Sequence, residues 1–534
     1  MASTLLVIMF SKTRAGILCL ITFGSFICSS LAIDPLLIGL PLLRYADPTL
    51  TGSGVKIAQV EGSESVDGLR WQVNPSATFV SQPTNLFTYY SSLGSSSAYT
   101  NTFGLESGHA NGVGGNFYGS SIGVAPGVQH VDNYEANYFY NSIITPLMPP
   151  AIAGKIVNQS FVFSGLTTAQ QQTVDNKYDS YAVQYNTLFV SGVGGAGTGG
   201  RPNAPSTAYN GIGVGAFGGD SSVGSTLDNG RSKPDITAPD GATSFSTPLV
   251  SGAAAILLQA GLRGDAGTGS VTNAAADIRT IKALLLNGAV KPSNWTHTAI
   301  APLDTRFGSG ILNVFNSYKQ LSAGKYPFIE STVVTEGAAH PPGAATGNAS
   351  SPTGWDFNSI ASTIMQDRVN HYYFNLPAAT AKEFTLTTTL VWNRTAGAAA
   401  KHLDLFLYNT SNNTLIASSV STVDNVEHLF VPTLPAGRYD LQVLKKGGVG
   451  SNGTESYALA FESFALSLTI QKSDTNIVVS WPLAPTGFQL QSTTTLNPPV
   501  SWTTVPNATV FTNNQNQVTL PPIETAQFFR LVRP

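Results

Sequence analysis

The stretch from Lys233 to Ala260 constrains this chain more than any other. It reads Lys-Pro-Asp-Ile-Thr-Ala-Pro-Asp-Gly-Ala-Thr-Ser-Phe-Ser-Thr-Pro and continues Leu-Val-Ser-Gly-Ala-Ala-Ala-Ile-Leu-Leu-Gln-Ala. A loop of Pro, Asp and Gly gives way to an uncharged apolar run, which reads as a helix that must be buried. The loop delivers the hydroxyl of Ser244 to the helix start. There the helix offers unpaired N–H donors and the positive end of its dipole. A serine in that place serves either as a helix cap or as a nucleophile whose developing oxyanion faces those donors.

Two further segments bear on the choice. Glu106-Ser-Gly-His109-Ala-Asn-Gly-Val-Gly-Gly115 reads as a histidine entering a helix of small residues, which lets the helix pack closely on a neighbour. An imidazole titrates near neutrality and suits a general base. Gly54-Val-Lys-Ile-Ala-Gln-Val-Glu61 reads as a short apolar strand ending in an acid. The Ser244 segment resembles the Gly-Thr-Ser-x-Ala-x-Pro nucleophile motif of the subtilisin-like serine peptidases (subtilases). The His109 segment resembles their His-Gly-Thr-x-Val-Ala-Gly motif. Ser121-Ile-Gly-Val-Ala-Pro-Gly127 and Phe307-Gly-Ser-Gly-Ile-Leu-Asn313 resemble two of their turns. Acid, histidine and serine follow in the chain order of that family.

The resemblance implies a catalytic triad of Ser244, His109 and Glu61. The family has Asp where this chain has Glu61, with Glu64 and Asp67 as the nearest other acids. It implies an oxyanion site of the Ser244 backbone N–H beside Thr243, completed in the family by an Asn amide. The aligned residue is Gly195 in Thr187-Leu-Phe-Val-Ser-Gly-Val-Gly-Gly195, so that donor is missing, and Asn111 and Asn203 are candidates to replace it. The substrate-binding segment corresponds to Asn158-Gln-Ser160-Phe161-Val162-Phe163. Val162 and Phe163 fall where the family has glycines lining the pocket for the residue before the cut, which predicts a narrow pocket suited to small side chains. The resemblance runs from Gly54 to about Lys325.

The rest of the chain places this domain. Residues 1–32 read as a secretory signal peptide, with Lys12 and Arg14 ahead of an apolar run and Ala32 at the cleavage site. Cys19 and Cys28 both lie inside it, so the mature chain has neither disulfides nor cysteine ligands. Residues 33–53 form a short segment, too short for a folded propeptide. Residues 326–354, rich in Pro, Gly, Ala and Ser, read as a linker. Residues 355–464 alternate as a jelly-roll-like β-sandwich, and residues 465–534 as a small C-terminal β module.

The formal net charge is −3 and charged residues make up 11% of the chain, which argues against a nucleic-acid or anionic-membrane partner. The expected architecture is therefore α/β, a subtilisin-like parallel sheet flanked by helices, followed by the two β units. The expected function is a secreted or bacterial cell-envelope serine endopeptidase. It would act on protein or peptide substrates as a monomer, with no membrane anchor after signal cleavage. No cofactor and no metal ligand is called for, although a structural calcium is compatible with the family, and Asp404, Asn409 and Asp440 are candidates for one. The alternative is a catalytically impaired protein of the same fold that binds rather than cuts, or that serves the envelope.

Overall fold

A computed structural model describes residues 37–532 apart from positions 199, 268–272, 293, 381–382, 396, 398–400, 466–467, 474–475, 483–487, 513–514 and 522–526. The signal peptide assigned to residues 1–32 lies outside the described residues.

The first domain is the expected α/β layer structure. Its sheet is built from Lys56–Glu61 (β1), Phe87–Ser91 (β2), Gly94–Ser96 (β3), His130–Glu135 (β4), Ile156–Gln159 (β5), Leu188–Gly192 (β6), Ile212–Phe217 (β7) and Ile236–Pro239 (β8). The spatial order is β8-β7-β6-β5-β1-β4-β2-β3. Neighbours pair in parallel except for the β2–β3 hairpin. Strands β1, β5 and β6 are buried almost end to end, as a parallel sheet covered on both faces requires. Strand order reverses around β1, so the crevice beyond its carboxyl end is the natural place for a ligand.

Helices Gly108–Tyr118 (α1), Thr168–Tyr185 (α2), Thr243–Arg263 (α3), Ile278–Gly288 (α4) and Val314–Ala323 (α5) flank the sheet. The apolar run that opened the sequence reading is α3. It is long and apolar enough to cross a membrane, yet it is mostly buried within the domain. Leu249, Val250, Ile256 and Leu257 are fully buried, each worth about 1.5–3 kcal/mol of burial. Pro248 lies inside the helix, and the Ser244 carbonyl four residues earlier, which its missing N–H cannot serve, accepts from Ser160 Oγ at 2.8 Å instead.

Residues 37–55, ahead of β1, belong to this domain. The short helix Leu40–Ala46 buries Leu40, Leu42 and Leu43, and the Val314 N–H donates to the Ile38 carbonyl at 2.9 Å.

Residues 326–354 are not a free linker. They supply Glu330–Thr335 (β9), which pairs antiparallel with Gln366–Leu376 (β11). The sandwich has a five-stranded sheet of β9-β11-β16-β13-β14 facing a four-stranded sheet of β10-β17-β12-β15. The remaining strands are Thr353–Ser362 (β10), Glu383–Trp392 (β12), Leu403–Asn409 (β13), Thr414–Ser419 (β14), Val426–Pro435 (β15), Gly437–Lys445 (β16) and Gly453–Phe464 (β17). Between the sheets lies an apolar core of Tyr372, Leu390, Leu405, Leu441 and Phe461. Trp355, Val391, Val426, Ala458 and Ala460 instead join the core of the first domain. The module after residue 464 has two small sheets and a separate core around Val479, Trp481 and Val518.

Candidate active site

The carboxyl end of β1 presents Glu61, which is fully buried. Its Oε2 lies 2.8 Å from Nδ1 of His109 in the first turn of α1. A carboxylate only accepts, so the bond fixes the proton on Nδ1 and leaves Nε2 as the basic nitrogen. Ser107 caps α1, its Oγ accepting from the Ala110 N–H at 2.9 Å, and this sets the position of His109. Burial disfavours the imidazolium, but the charge and hydrogen bond of Glu61, with the charge of Glu64, outweigh it. The His109 pKa is held above its ordinary value.

Behind the acid stands a buried relay that motif reading missed. Gln59, two residues earlier on the same strand face, donates to Glu61 Oε1 at 2.8 Å and to the Ala110 carbonyl at 2.9 Å. The Tyr118 hydroxyl donates to Gln59 Oε1 at 2.5 Å. The signal was present in the sequence, because residues i and i+2 of a strand share a face, and a glutamine inside an apolar strand needs partners. The other acids play lesser parts. Glu64 Oε1 accepts the His109 backbone N–H at 3.1 Å. Asp67 closes its own turn with Ser65 and Leu69.

Ser244 is the second residue of α3. The cap position belongs to Ala242, which makes no side-chain capping bond, so Ser244 is not the helix cap. Its Oγ lies 3.4 Å from the Ser160 carbonyl, while Ser160 Oγ donates to the Ser244 carbonyl at 2.8 Å. Asn158 orients Ser160, and Ser251 in turn donates to Asn158. Helices α1 and α3 bring histidine and serine segments together. The rings of His109 and Phe245 have centroids 5.7 Å apart, and Asn116 donates to the Phe245 carbonyl at 3.0 Å. Gly112 allows this approach, since a Cβ there would lie 2.7 Å from the Phe245 ring.

The Lys233-Pro234-Asp235 stretch holds the nucleophile segment in place. Asp235 Oδ2 accepts from the Gly213 N–H at 2.6 Å, tying β8 to β7, and pairs with Lys233 and Lys282. Burial disfavours its charge, but the two lysines outweigh this and keep its carboxyl below the usual range.

Thr243 is buried, and it lies against Gly192 at the end of β6. Of the substitute oxyanion donors, Asn111 accepts from the Asn74 N–H and donates to Glu106, and Asn203 donates to the Arg201 carbonyl. Each of these donated bonds occupies one of the two amide hydrogens of its side chain. Phe161 and Phe163 pack into the domain core, with Phe163 tilted against Tyr140 at 5.0 Å, whereas Val162 is buried outside that cluster.

Among the described residues no group of three or more His, Cys, Asp or Glu is placed to hold a metal ion. Asp440 holds His371 at 2.8 Å, Asp404 pairs with His402 and Lys446, and Asn409 caps its own turn.

Residues 87–310 match the model of the Subtilase family, Peptidase_S8, so Glu61 and its strand lie ahead of the matched segment. No curated protein matches the sequence at a significant level. Solved structures similar to the chain include a cold-adapted subtilisin-like serine proteinase, at 18% identity over 50% of this chain and 90% of that one, with a TM-score of 0.32. The Aeromonas sobria serine protease, solved with its chaperone, is 14% identical over 90% of this chain and 87% of that one, with a TM-score of 0.32. Fervidolysin from Fervidobacterium pennivorans, a keratinolytic enzyme related to subtilisin, is 12% identical over 92% and 79%, with a TM-score of 0.35.

Proposed function

We propose, from the match of residues 87–310 to the Subtilase family, that the chain is a secreted serine endopeptidase working through Glu61, His109 and Ser244. The observation that carries this reading is the 2.8 Å bond from a fully buried Glu61 to His109. Ser244 Oγ attacks the scissile carbonyl, and its proton passes to His109 Nε2. The peptide C–N bond then breaks as His109 returns that proton to the leaving amine, and an acyl ester remains on Ser244. Water, deprotonated by His109, hydrolyses the ester. Glu61 orients the ring and stabilises the imidazolium that forms in each step. The Ser244 N–H at the start of α3 supplies one oxyanion donor.

The substrate is a protein or peptide bound in extended form along the segment after β5. Val162 in place of a glycine favours a small side chain before the cut. The protein acts outside the cytoplasm, as a monomer, with no cofactor.

A second reading is a binding protein with an impaired site, and Gly195 in the place of an amide donor favours it. Labelling of the signal-free protein with a fluorophosphonate probe separates the two. Labelling that disappears in Ser244→Ala and His109→Ala supports the peptidase. A folded protein that never labels supports the binding protein.

A further inference from the structure

The space left by the missing amide is filled, and by a charged group. We propose that Asp220 sets the strength of the oxyanion site, its carboxylate standing where an amide donor would act and holding back the reaction at Ser244. This rests on the serine-protease reading above and specifies what limits it.

Gly195 does not have a left-handed backbone, so space rather than conformation keeps it a glycine. A Cβ built on Gly195 would lie 2.3 Å from Asp220 Oδ2 and 3.0 Å from Asp220 Cγ. The other carboxylate oxygen, Oδ1, is pinned by the Ala196 N–H at 2.8 Å. The turn that carries Asp220 is stitched to both halves of the site. On one side the Ser222 N–H donates to the Gly194 carbonyl at 2.6 Å, and Ser222 Oγ donates to the Gly195 carbonyl at 2.9 Å. On the other, the Asp220 N–H donates to the Gly241 carbonyl at 3.0 Å, and Asp220 bridges to Ala242, two residues before Ser244.

The chemical consequence follows from where charge develops. Attack by Ser244 forms the Oγ–C bond and moves the carbonyl π pair onto oxygen, while the proton goes to His109. The new oxyanion then has the Ser244 N–H on one side and a carboxylate nearby, where an amide would have donated. A carboxylate in that place repels the developing oxyanion, and a donor is absent as well. The ground-state carbonyl carries no full charge, so the penalty falls on the chemical step.

Asp220→Asn tests this with little change of shape. Its Oδ1 retains the Ala196 N–H, and its amide nitrogen replaces Oδ2. The readout is the second-order rate at which a fluorophosphonate probe phosphonylates the full signal-free chain, with Ser244→Ala as blank. Asp220→Asn is expected to react at least about tenfold faster than the native protein. Asp220→Ala, which removes the charge without adding a donor, should fall between them. Gly195→Asn combined with Asp220→Ala should match Asp220→Asn. If the native protein labels and a folded Asp220→Asn is no faster, this proposal alone is overturned. A slower Asp220→Asn also overturns it and makes the carboxylate an anchor for the substrate. If neither protein labels, both the proposal and the serine-protease reading fall.

Discussion

Glutamate is one methylene longer than the aspartate that the resemblance calls for, and the extra reach has to be taken up by its surroundings. Gln59, Tyr118 and Gly114 do this together. Gln59 fixes one Glu61 oxygen, Tyr118 fixes Gln59, and Gly114 lets the two approach, since a Cβ there would lie 2.7 Å from the Tyr118 hydroxyl. Glu61→Gln is therefore expected to lower kcat about 10⁴-fold, because the amide no longer enforces the correct tautomer. The residual rate is measurable by labelling or by peptide hydrolysis. The same variant removes the main influence that raises the His109 pKa. Its acid limb in a pH–rate profile should move to lower pH. Linkage gives a second signature of the same sign. A raised imidazole pKa contributes stability that is complete below the ordinary value and lost as pH rises through the folded one. Glu61→Gln should thus lower the melting temperature more in acid than in alkali. At this scale motifs single out His109 and Ser244, and the structure brings their two segments together. The sequence was silent on Asp220, which a turn folds back against Gly195 with no fixed spacing between them.

At the scale of elements, the two helices bearing histidine and serine are locked by glycines that serve different purposes. Gly252 lies in the body of α3, where a Cβ would come 2.5 Å from Val124 Cβ. Gly252→Ala should destabilise the protein by about 1–3 kcal/mol through overpacking, which a denaturant titration reads directly. Gly112 in α1 faces the Phe245 ring, a side chain that can turn aside. Gly112→Ala should cost less stability but slow fluorophosphonate labelling, because Phe245 adjoins Ser244 and packs on His109. Helix α3 and the strands ahead of the site were legible because their apolar runs match the period of each element. Strand β9 was not. Its sequence, Glu-Ser-Thr-Val-Val-Thr, is mostly exposed, and it sits at the edge of its sheet with no apolar face to declare it.

The whole molecule divides unevenly. The sandwich shares its core with the first domain through Trp355, Val391 and Val426. It is also bonded to it: Asn425 donates to the Tyr209 carbonyl at 3.1 Å, the Ser232 N–H to Asp424 at 2.9 Å, and the Arg394 N–H to Asn210 at 2.8 Å. The last module keeps its own core. A chain ending at Phe464 should therefore label and melt like the full protein. One ending at Lys325 should lose much of its stability, because the buried face of the first domain becomes exposed. Calorimetry of the two truncations checks both. The pattern of strands and helices named the α/β and β classes, but it could not reveal that the first two units share a core, since a shared face looks like any other apolar strand.

The join between those two units carries a further implication for survival. A peptidase cuts where it can draw an extended, unpaired run of chain into its cleft. From Tyr326 to Trp355 this connection is laced down. Tyr326, Ile329, Glu336, Gly343 and Ser350 each donate a backbone N–H to the sandwich, and residues 330–335 are paired as a strand. The connection between the first domain and the sandwich is here a paired seam, which predicts resistance to proteolytic cleavage between Tyr326 and Trp355.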